Sequence, residues 1–390
     1  MATIGIDVTA LATSASGGIG VSQWATMRAL ARIDSGHRFV MYSTRAPVVP
    51  FTDQPLYVKW PVRLGSGLAA RSNIVWMQTG INRMLKRDAI DLFWSPRHLL
   101  PFGARGVAKV ATIQDFWHLH HPEQQPFINR TLNRLLISRI LKRADHIVTT
   151  SQATADDAIG HYGIPAERIT VVPLGVDPGV FRRLSGEEIA RVLERYAVPG
   201  RFLLAMDIYN PRKNFSAVLE AFAQLPDDLR ASLQVIGLGR PRATAETTSP
   251  MTLAEQLGIG DRLVLPGDAS LEDLVALYCG AEAFLYPSIY EGFGMPVLEA
   301  MACGCPVITS DRSSLPEVAG DAAILVDPSS AEEIREAMTA IARDATLRGR
   351  LVQLGGQRAA ALSWDATAAG MLAVFERVLG SRDIHEGGAG

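Results

Sequence analysis

The chain has few cysteines and no long apolar run. Its three cysteines, Cys279, Cys303 and Cys305, are odd in number and include one C-x-C pair. This argues against a disulfide framework or a cysteine zinc site and favours a reducing, cytoplasmic location. No run reaches the roughly 18 apolar residues that a bilayer span requires. The opening stretch MATIGIDVTA lacks the basic region of a signal peptide and is typical of a first strand.

The net charge is also small, but it is unevenly distributed. The 390 residues carry a formal charge of −2, and their 48% hydrophobic and 20% charged content is typical of a globular protein with two domains. Residues 1–180 hold 19 Lys and Arg against 12 Asp and Glu, whereas the remainder holds 19 against 28. The basic first half suggests contact with an anionic partner or surface.

Short apolar runs alternate with amphipathic helical patterns along the chain. Runs such as HRFVMYS and HIVTTS in the first half, and RFLLAMDIY and AEAFLYPS in the second, are typical of buried strands. The alternation predicts an α/β fold in which helices cover both faces of parallel sheets. Each half has enough units for its own doubly wound, Rossmann-like domain, and two such domains would face a central cleft.

The predicted domain boundary follows VVPLGVDPGVFRRL. We expect a first domain over residues 1–182 and a second over residues 183–363. The pattern WDATAAGMLAVFERVLG predicts one more helix over about residues 364–380. The small residues near the end predict a disordered tail over residues 381–390.

The loop after the apolar run AFLYPS carries an anion-binding pattern. In IYEGFGMP, Pro296 suits the first turn of a helix that runs to about Cys303. The N-terminus of that helix offers backbone N–H groups and a partial positive charge. Gly292 and Gly294 would let a ligand approach the backbone closely. The pattern therefore suits a diphosphate.

Two glutamates flank this turn. Carboxylates accept hydrogen bonds from hydroxyls, so Glu291 and Glu299 would suit a sugar and a ribose on either side of a diphosphate. The alternative is that Glu299 only interacts favourably with the helix dipole and that Glu291 is a solvated loop residue. The combination with Gly-Phe-Gly-x-Pro favours the binding interpretation.

A basic pair follows the run RFLLAMDIY. Arg212 offers a fork of donors and Lys213 a point charge, and both are well placed for a diphosphate at the end of a strand. Asn214 could cap the helix that follows. A solvated basic turn is the simpler alternative. The turn SASGGIG, which contains Gly18, is a weaker candidate because it does not match G-x-G-x-x-G.

Gln114 and Asp115 end the run VAKVATIQD, and three histidines follow them. His118, His120 and His121 could suggest a metal, but no carboxylate or cysteine stands at a known ligand spacing. We expect histidines at the surface or near an acceptor. Because no D-x-D follows a strand, the charge of a diphosphate would be met by side-chain cations and helix dipoles, and no metal is expected.

These motifs resemble the retaining nucleotide-sugar glycosyltransferases of glycosyltransferase family 4, which have the GT-B fold of two Rossmann-like domains. The resemblance covers nearly the whole chain through GGIG, VVPLGVD, PRKN, the E-x7-E from Glu291 to Glu299, GCPVITSD and LPEVAGDAAILVDP. It implies transfer of a hexose from a nucleotide diphosphate sugar with retained configuration and without a cofactor. Mannose from GDP-mannose is the first donor prediction, and UDP-glucose or another UDP-sugar is the alternative.

The resemblance also implies roles for individual residues. Residues 1–182 would form the acceptor side, the helix from 364 would cross back to it, and residues 183–363 would bind the donor. Glu291 and Glu299 would hold the donor sugar and the ribose, with Glu291, Gln114 and Asp115 closest to the reaction. The rest of the donor-binding set would be Gly18, Arg212, Lys213, Gly292, Phe293 and Gly294.

The chain departs from the family pattern at two positions. Many relatives have His where this chain has Gln114, and Gln cannot titrate near neutral pH. In a front-face mechanism the leaving phosphate accepts the proton of the acceptor, so this loss need not abolish transfer. Relatives often have Gly at the position of Asp207, whose role the sequence leaves open.

The acceptor would meet the basic first half. A helix predicted over residues 126–143 contains Arg130 and Arg134, and with His118 and His120 it could face a glycan or a polyprenyl-diphosphate-linked acceptor. The same helix could contact an anionic membrane from the cytoplasmic side, or it could be an ordinary amphipathic helix. No nucleic-acid partner is expected. Surface-polysaccharide biosynthesis is the predicted setting.

Two further functions stay open at this point. A sugar-nucleotide epimerase of the same fold would act on a donor without an acceptor. A non-catalytic homologue would bind nucleotide sugars or glycans, and Gln114 keeps this alternative open.

Overall fold

The computed structural model describes residues 1–12, 18–47, 60–65, 72–97, 99–120, 137–196, 198, 200–241 and 249–387. The chain forms two compact units. The first comprises Met1–Leu174 and Trp364–Gly390, and the second comprises Gly175–Ser363. The predicted boundary between residues 182 and 183 lies within the second unit. Each unit is a parallel sheet with helices, so the predicted α/β class with two Rossmann-like domains is confirmed.

The first unit contains a seven-stranded parallel sheet in the order β3-β2-β1-β4-β5-β6-β7. Its strands are β1 (Thr3–Asp7), β2 (Arg38–Ser43), β3 (Val62–Leu64), β4 (Leu92–Ser95), β5 (Ala108–Ile113), β6 (His146–Thr149) and β7 (Ile169–Val171). The order reverses between β1 and β4, so a topological switch point lies at their carboxyl ends.

Helices of the first unit cover this sheet. They are α1 (Gly18–Leu30), α2 (Asn73–Gln78), α3 (Gly80–Arg87), α4 (Trp117–His120) and α5 (Gln152–Tyr162), with helical backbone also at residues 137–143. Short 3-10 turns occupy Thr9–Ala12 and Ala166–Arg168. Ser151 precedes helix α5 as its N-cap and its Oγ accepts a hydrogen bond from Thr154 N, and Gly163, with φ 62°, follows the helix as its C-cap. Both ends therefore have standard capping residues.

The second unit contains a six-stranded parallel sheet in the order β10-β9-β8-β11-β12-β13. Its strands are β8 (Arg201–Met206), β9 (Leu233–Leu238), β10 (Leu263–Gly267), β11 (Ala283–Tyr286), β12 (Val307–Ser310) and β13 (Ala323–Val326). The strands β11 and β12 are buried along their whole length and β8 along all but its end residues, which explains the apolar runs at the centre of the sheet. The order reverses between β8 and β11.

The helices of the second unit lie between these strands in the chain. They are α6 (Gly186–Arg195), α7 (Phe215–Ala223), α8 (Asp227–Ser232), α9 (Pro250–Gln256), α10 (Leu271–Gly280), α11 (Met295–Ala302), α12 (Leu315–Ala319), α13 (Ala331–Arg343) and α14 (Ala345–Ala361). The 3-10 turns are Pro211–Lys213, Gly260–Arg262 and Gly320–Ala322.

The last helix, α15 (Trp364–Gly387), belongs to the first unit. Its Thr367 Oγ1 donates a hydrogen bond to Pro173 O at 2.8 Å, and its Phe375 ring lies 5.6 Å from the Trp94 ring. The helical backbone continues beyond the predicted end at residue 380 and through most of the segment that was expected to be a disordered tail. Glycine lowers helix propensity, yet the segment before GGAG, SRDIHE, contains neither glycine nor proline.

Candidate active site

The candidate site of the second unit lies at the carboxyl ends of β8 and β11. These strands are neighbours at the switch point of the sheet, which is where open α/β sheets bind ligands. The loops that follow the two strands are joined by a backbone hydrogen bond of 2.9 Å from Ile289 N to Arg212 O. The basic pair and the glutamate loop therefore meet at one edge of the sheet.

The loop after β8 is shaped by side chains that bond to nearby groups. Asp207 has a positive φ of 53° and accepts a hydrogen bond of 2.8 Å from Asn210 Nδ2. Glycine adopts such a backbone without strain, which gives a physical reason for the glycine of the family pattern at this position. The Asn210 side chain in turn accepts from Arg212 N at 3.2 Å, so the 3-10 turn that carries the two cations has its own cap.

The expected capping role of Asn214 is wrong. This residue precedes α7, but its φ is 57° and its side chain makes no capping hydrogen bond to that helix. Its Nδ2 donates instead to Pro328 O at 2.5 Å, in the loop that follows β13. This hydrogen bond to a distant residue takes the place of the expected capping bond, and it connects the basic turn to the loop after the edge strand β13.

Lys213 and Glu291 form a buried ion pair. Lys213 Nζ donates to Glu291 Oε1 at 2.5 Å, and the two residues are only 8% and 6% exposed. The second oxygen, Oε2, lies 3.5 Å from a guanidinium nitrogen of Arg212. Lys213 Nζ also donates to Tyr286 Oη at 2.5 Å. Burial raises the pKa of Glu291, but the charges of Lys213 and Arg212 together lower it below the usual range, so the carboxyl is ionised.

Two serines hold the backbone of the glutamate loop. Ser313, with φ 53°, accepts from Glu291 N at 2.8 Å and donates to Glu291 O at 2.6 Å. The Ser314 hydroxyl lies 2.9 Å from both Glu291 O and Phe293 O. These contacts fix the position of the Glu291 carboxylate from the backbone side.

Helix α11 begins directly after Gly294. Gly294 has φ 100°, and a Cβ added there would lie 2.6 Å from Leu315 Cδ2, so this position requires glycine. The helix spans Met295–Ala302 with a proline in its first turn, as the sequence predicts, and the chain turns away at Gly304 with φ 75°. Gly292 and Phe293 are buried just before this helix start. The N-terminal N–H groups of α11 thus lie next in the chain to the Glu291 loop.

Glu299 lies one turn inside α11 and is half-buried. Burial alone raises the pKa of its carboxyl to about 7. Among the described residues, no ion pair to this carboxyl is seen, in contrast to Glu291. A carboxyl in this state could accept hydrogen bonds from ligand hydroxyls when it ionises.

The first unit carries the predicted site residues Gly18, Gln114 and Asp115, besides the histidines and arginines of the acceptor side. Gly18 is the first residue of α1 and is exposed, and a Cβ there would meet nothing within 4 Å. Gln114 and Asp115 follow β5 at the carboxyl edge of the sheet and are half-buried. Gln114 lines a small pocket with Gln23 and Trp94, and Asp115 Oδ1 accepts from Trp117 N at 3.2 Å.

Two of the three predicted histidines lie on α4, and both already have partners. His118 Nε2 is 2.9 Å from Tyr162 Oη, and burial lowers its pKa. His120 Nε2 lies 2.9 Å from Asp157 Oδ2. The third histidine, His121, lies outside the residues that the structure describes, as do Arg130 and Arg134, which were predicted on the acceptor or membrane side.

Sequence reasoning missed Tyr286, Ser313 and Ser314. Tyr286 ends an apolar strand and resembles any core aromatic residue in the sequence. The two serines form the pair SS at the carboxyl end of β12, and polar residues at that end of a neighbouring parallel strand are the signal that could have identified them.

Comparisons with known proteins agree with this architecture. The family model described as Glycosyltransferase Family 4 matches residues 16–180, and the one described as Glycosyl transferases group 1 matches residues 196–358. The MMP alpha-(1->4)-mannosyltransferase of Mycolicibacterium hassiacum is 31% identical over 300 residues, which are 72% of this chain and 68% of the relative. The chain therefore belongs to glycosyltransferase family 4, and the predicted GT-B fold is confirmed.

Another relative is much longer than this chain. The serotype-specific mannosyltransferase WbdA of Escherichia coli is 30% identical over 249 residues, which cover 63% of this chain and 30% of WbdA. The chain thus spans about 30% of the length of this relative. Among solved structures, HepE from Anabaena in complex with UDP and glucose has a TM-score of 0.74 at 15% identity and covers 96% of this chain and 99% of HepE.

Among the helices of the described part of the chain, none has both the length and the hydropathy to cross a membrane.

Proposed function

We propose that the chain transfers a hexose from a nucleotide diphosphate sugar to a glycan or a lipid-linked oligosaccharide. One observation carries this proposal: a buried Lys213–Glu291 pair, with Arg212 beside it, lies at a switch point next to the loop that opens α11. Arg212 and the N–H groups of α11 can meet a diphosphate, and the fixed Glu291 carboxylate can accept hydrogen bonds from sugar hydroxyls.

The proposed reaction retains configuration and uses no metal. The acceptor oxygen forms a bond to the anomeric carbon as the bond from that carbon to the phosphate oxygen breaks. The leaving diphosphate takes the proton of the acceptor hydroxyl on the same face. Arg212, Lys213 and the helix dipole would stabilise the charge that develops on the diphosphate. Gln114 and Asp115 would hydrogen-bond to the acceptor hydroxyl.

Mannose from GDP-mannose is the proposed donor. The relatives named as mannosyltransferases in E. coli and M. hassiacum support it. A UDP-sugar is the second candidate, because the HepE structure of similar fold holds UDP and glucose. The basic first half supports an acceptor that carries a diphosphate group. The chain would bind this acceptor at the cytoplasmic face of a membrane during surface-polysaccharide assembly.

A thermal-shift screen tests the donor. A ligand that binds only the folded state raises the melting temperature by mass action. Purified protein would be tested with GDP, UDP, GDP-mannose, UDP-glucose and NAD, with and without EDTA. We expect a rise with guanine nucleotides that is the same in both buffers. A rise with uridine nucleotides alone would support the second candidate, and a rise with NAD alone would contradict both. Donor binding without any turnover would favour a non-catalytic homologue, and conversion of the donor sugar without an acceptor would favour an epimerase.

A further inference from the structure

The first unit brings together two histidines and an aspartate from separate parts of the chain. His120 ends α4, whereas Asp157 and His161 lie one turn apart on α5. His120 Nε2 is 2.9 Å from Asp157 Oδ2, and His161 Nε2 is 3.8 Å from Asp157 Oδ1. The three ligand atoms lie within 4.8 Å of one another. The rings of His120 and His161 stand 5.9 Å apart at 89°.

The spacing of these atoms suits a tetrahedral ion. Two ligands that are each about 2.1 Å from a tetrahedral Zn²⁺ lie about 3.4 Å apart. Measured from the single oxygen Asp157 Oδ1, the separations of 3.0 Å to His120 Nε2 and 3.8 Å to His161 Nε2 fall on either side of that value. Both histidine rings are partly exposed, with side-chain exposures of 36% and 53%, so an ion could reach them from solvent. The sequence analysis singled out His120 but neither Asp157 nor His161, because Asp157 is 37 positions away from His120 and His161 lies one turn beyond it.

We propose that His120, Asp157 and His161 form a binding site for Zn²⁺ or a similar transition-metal ion. Imidazole nitrogen and carboxylate oxygen are ligands that Zn²⁺ accepts, and water would complete the coordination. Mg²⁺ and Ca²⁺ prefer sites made entirely of oxygen, so they should bind poorly here.

The ion would have a structural role in the first unit. It would join α4 to α5, and α4 begins two positions after Asp115 in the chain. Because Asp115 Oδ1 already bonds to Trp117 N in the first turn of α4, holding this helix would also hold Asp115. The ion would act apart from the donor chemistry proposed above, whose cations belong to the second unit.

Zinc titration of the full chain without an affinity tag tests the site. The protein would first be stripped with a chelator and then compete with a chromophoric zinc indicator. We expect one Zn²⁺ per chain that excess Mg²⁺ does not displace, and a higher melting temperature with Zn²⁺. His161→Ala and Asp157→Asn should each weaken binding at least about 10-fold, because the loss of even an indirect partner of a metal ligand costs about that much.

His37→Ala is the matched control, since His37 lies after α1 and its Nδ1 accepts a hydrogen bond from Ala2 N instead. This variant should bind Zn²⁺ as the parent protein does. Circular dichroism would show that every variant is folded. Absence of stoichiometric zinc in the parent protein would overturn the proposal. Equal zinc affinity in the His161 and Asp157 variants would also overturn it, because the ion would then be bound elsewhere.

Discussion

Lys213 Nζ lies 2.5 Å from Glu291 Oε1, and this contact joins two loops that are 78 positions apart in the chain. Both side chains are withdrawn from solvent, and Arg212 approaches the other carboxylate oxygen at 3.5 Å. A pair of this kind serves both the fold and the proposed donor site. Mutations can separate what the pair contributes to folding stability from what it contributes to sugar transfer.

Lys213→Met should destabilise the second unit because it leaves a buried carboxylate without its closest cation. Breaking a buried ion pair costs about 3–5 kcal/mol, and the remaining Arg212 should keep the loss near the lower end. Urea unfolding measures the change. The double variant Lys213→Met/Glu291→Met should lose less than the single one. If the single variant loses under about 1 kcal/mol, the pair is not the buried contact described above.

Glu299→Gln should stabilise the protein at high pH only. The carboxyl has a pKa of about 7 in the folded chain and an ordinary value of 4.5, so ionisation opposes folding. The penalty is absent below pH 4.5, grows as the pH rises and is complete above about pH 7. At pH 8 the gain should be on the order of 3 kcal/mol at most. Thermal unfolding at pH 4.5 and pH 8 measures it.

The exposed Glu220 on α7 provides the matched control, because Glu220→Gln should change stability little at either pH. A nucleotide whose ribose hydroxyls bond to the ionised Glu299 carboxylate should also bind more tightly as the pH rises from 6 to 8. An equal gain for Glu299→Gln at both pH values would contradict the raised pKa.

Gly294→Ala should cost more than a glycine-to-alanine change in a similar backbone. Gly258 also has a positive φ, 72°, but a Cβ there meets nothing within 4 Å. Both variants carry backbone strain of about 1–2 kcal/mol. Only Gly294→Ala also drives a Cβ against the fully buried Leu315, which should add about 1–3 kcal/mol. Equal urea midpoints for the two variants would show that Leu315 moves aside freely.

Gln114→His should make the rate of transfer depend on pH through the ionisation of the introduced imidazole. Gln114 cannot change its charge, whereas histidine titrates between about pH 5 and 8. If the side chain at this position contacts the acceptor, the pH profile of kcat at saturating donor should gain an inflection in that range. A profile and a rate identical to those of the parent protein would show that the position does not act in the reaction.

The sheets could be predicted because most strands are apolar runs that end at turn residues. The strand β3 was missed since it has only three residues between Pro61 and Gly65, and its identity depends on pairing with β2. Such a contact is set by tertiary structure and not by local pattern. The final helix extends to Gly387, beyond its predicted end at residue 380, because the glycines of the terminal GGAG come only after the helix-compatible segment SRDIHE.

The residues of the site could be predicted from the sequence, but the contacts between them could not. Strand ends followed by charged or glycine-rich turns indicated Arg212, Lys213 and the Glu291 loop, because parallel strands bring such turns to one edge. The sequence suggested that Glu291 would be available to a ligand, and the ion pair with Lys213 was not foreseen. Contacts between distant loops depend on strand order, which is not visible in residue spacing.

The most direct measurement compares sugar transfer by the parent protein, Lys213→Ala and Glu291→Gln. Release of nucleoside diphosphate from GDP-mannose and from UDP-glucose would be followed with a membrane glycan fraction as acceptor, and Glu220→Gln would serve as the control. We predict that the two site variants lose at least about 10²-fold in turnover, as expected when one preorganised charged group is removed, and that the control keeps its rate. Near-normal rates in both folded site variants would contradict the assignment of this loop pair as the donor site.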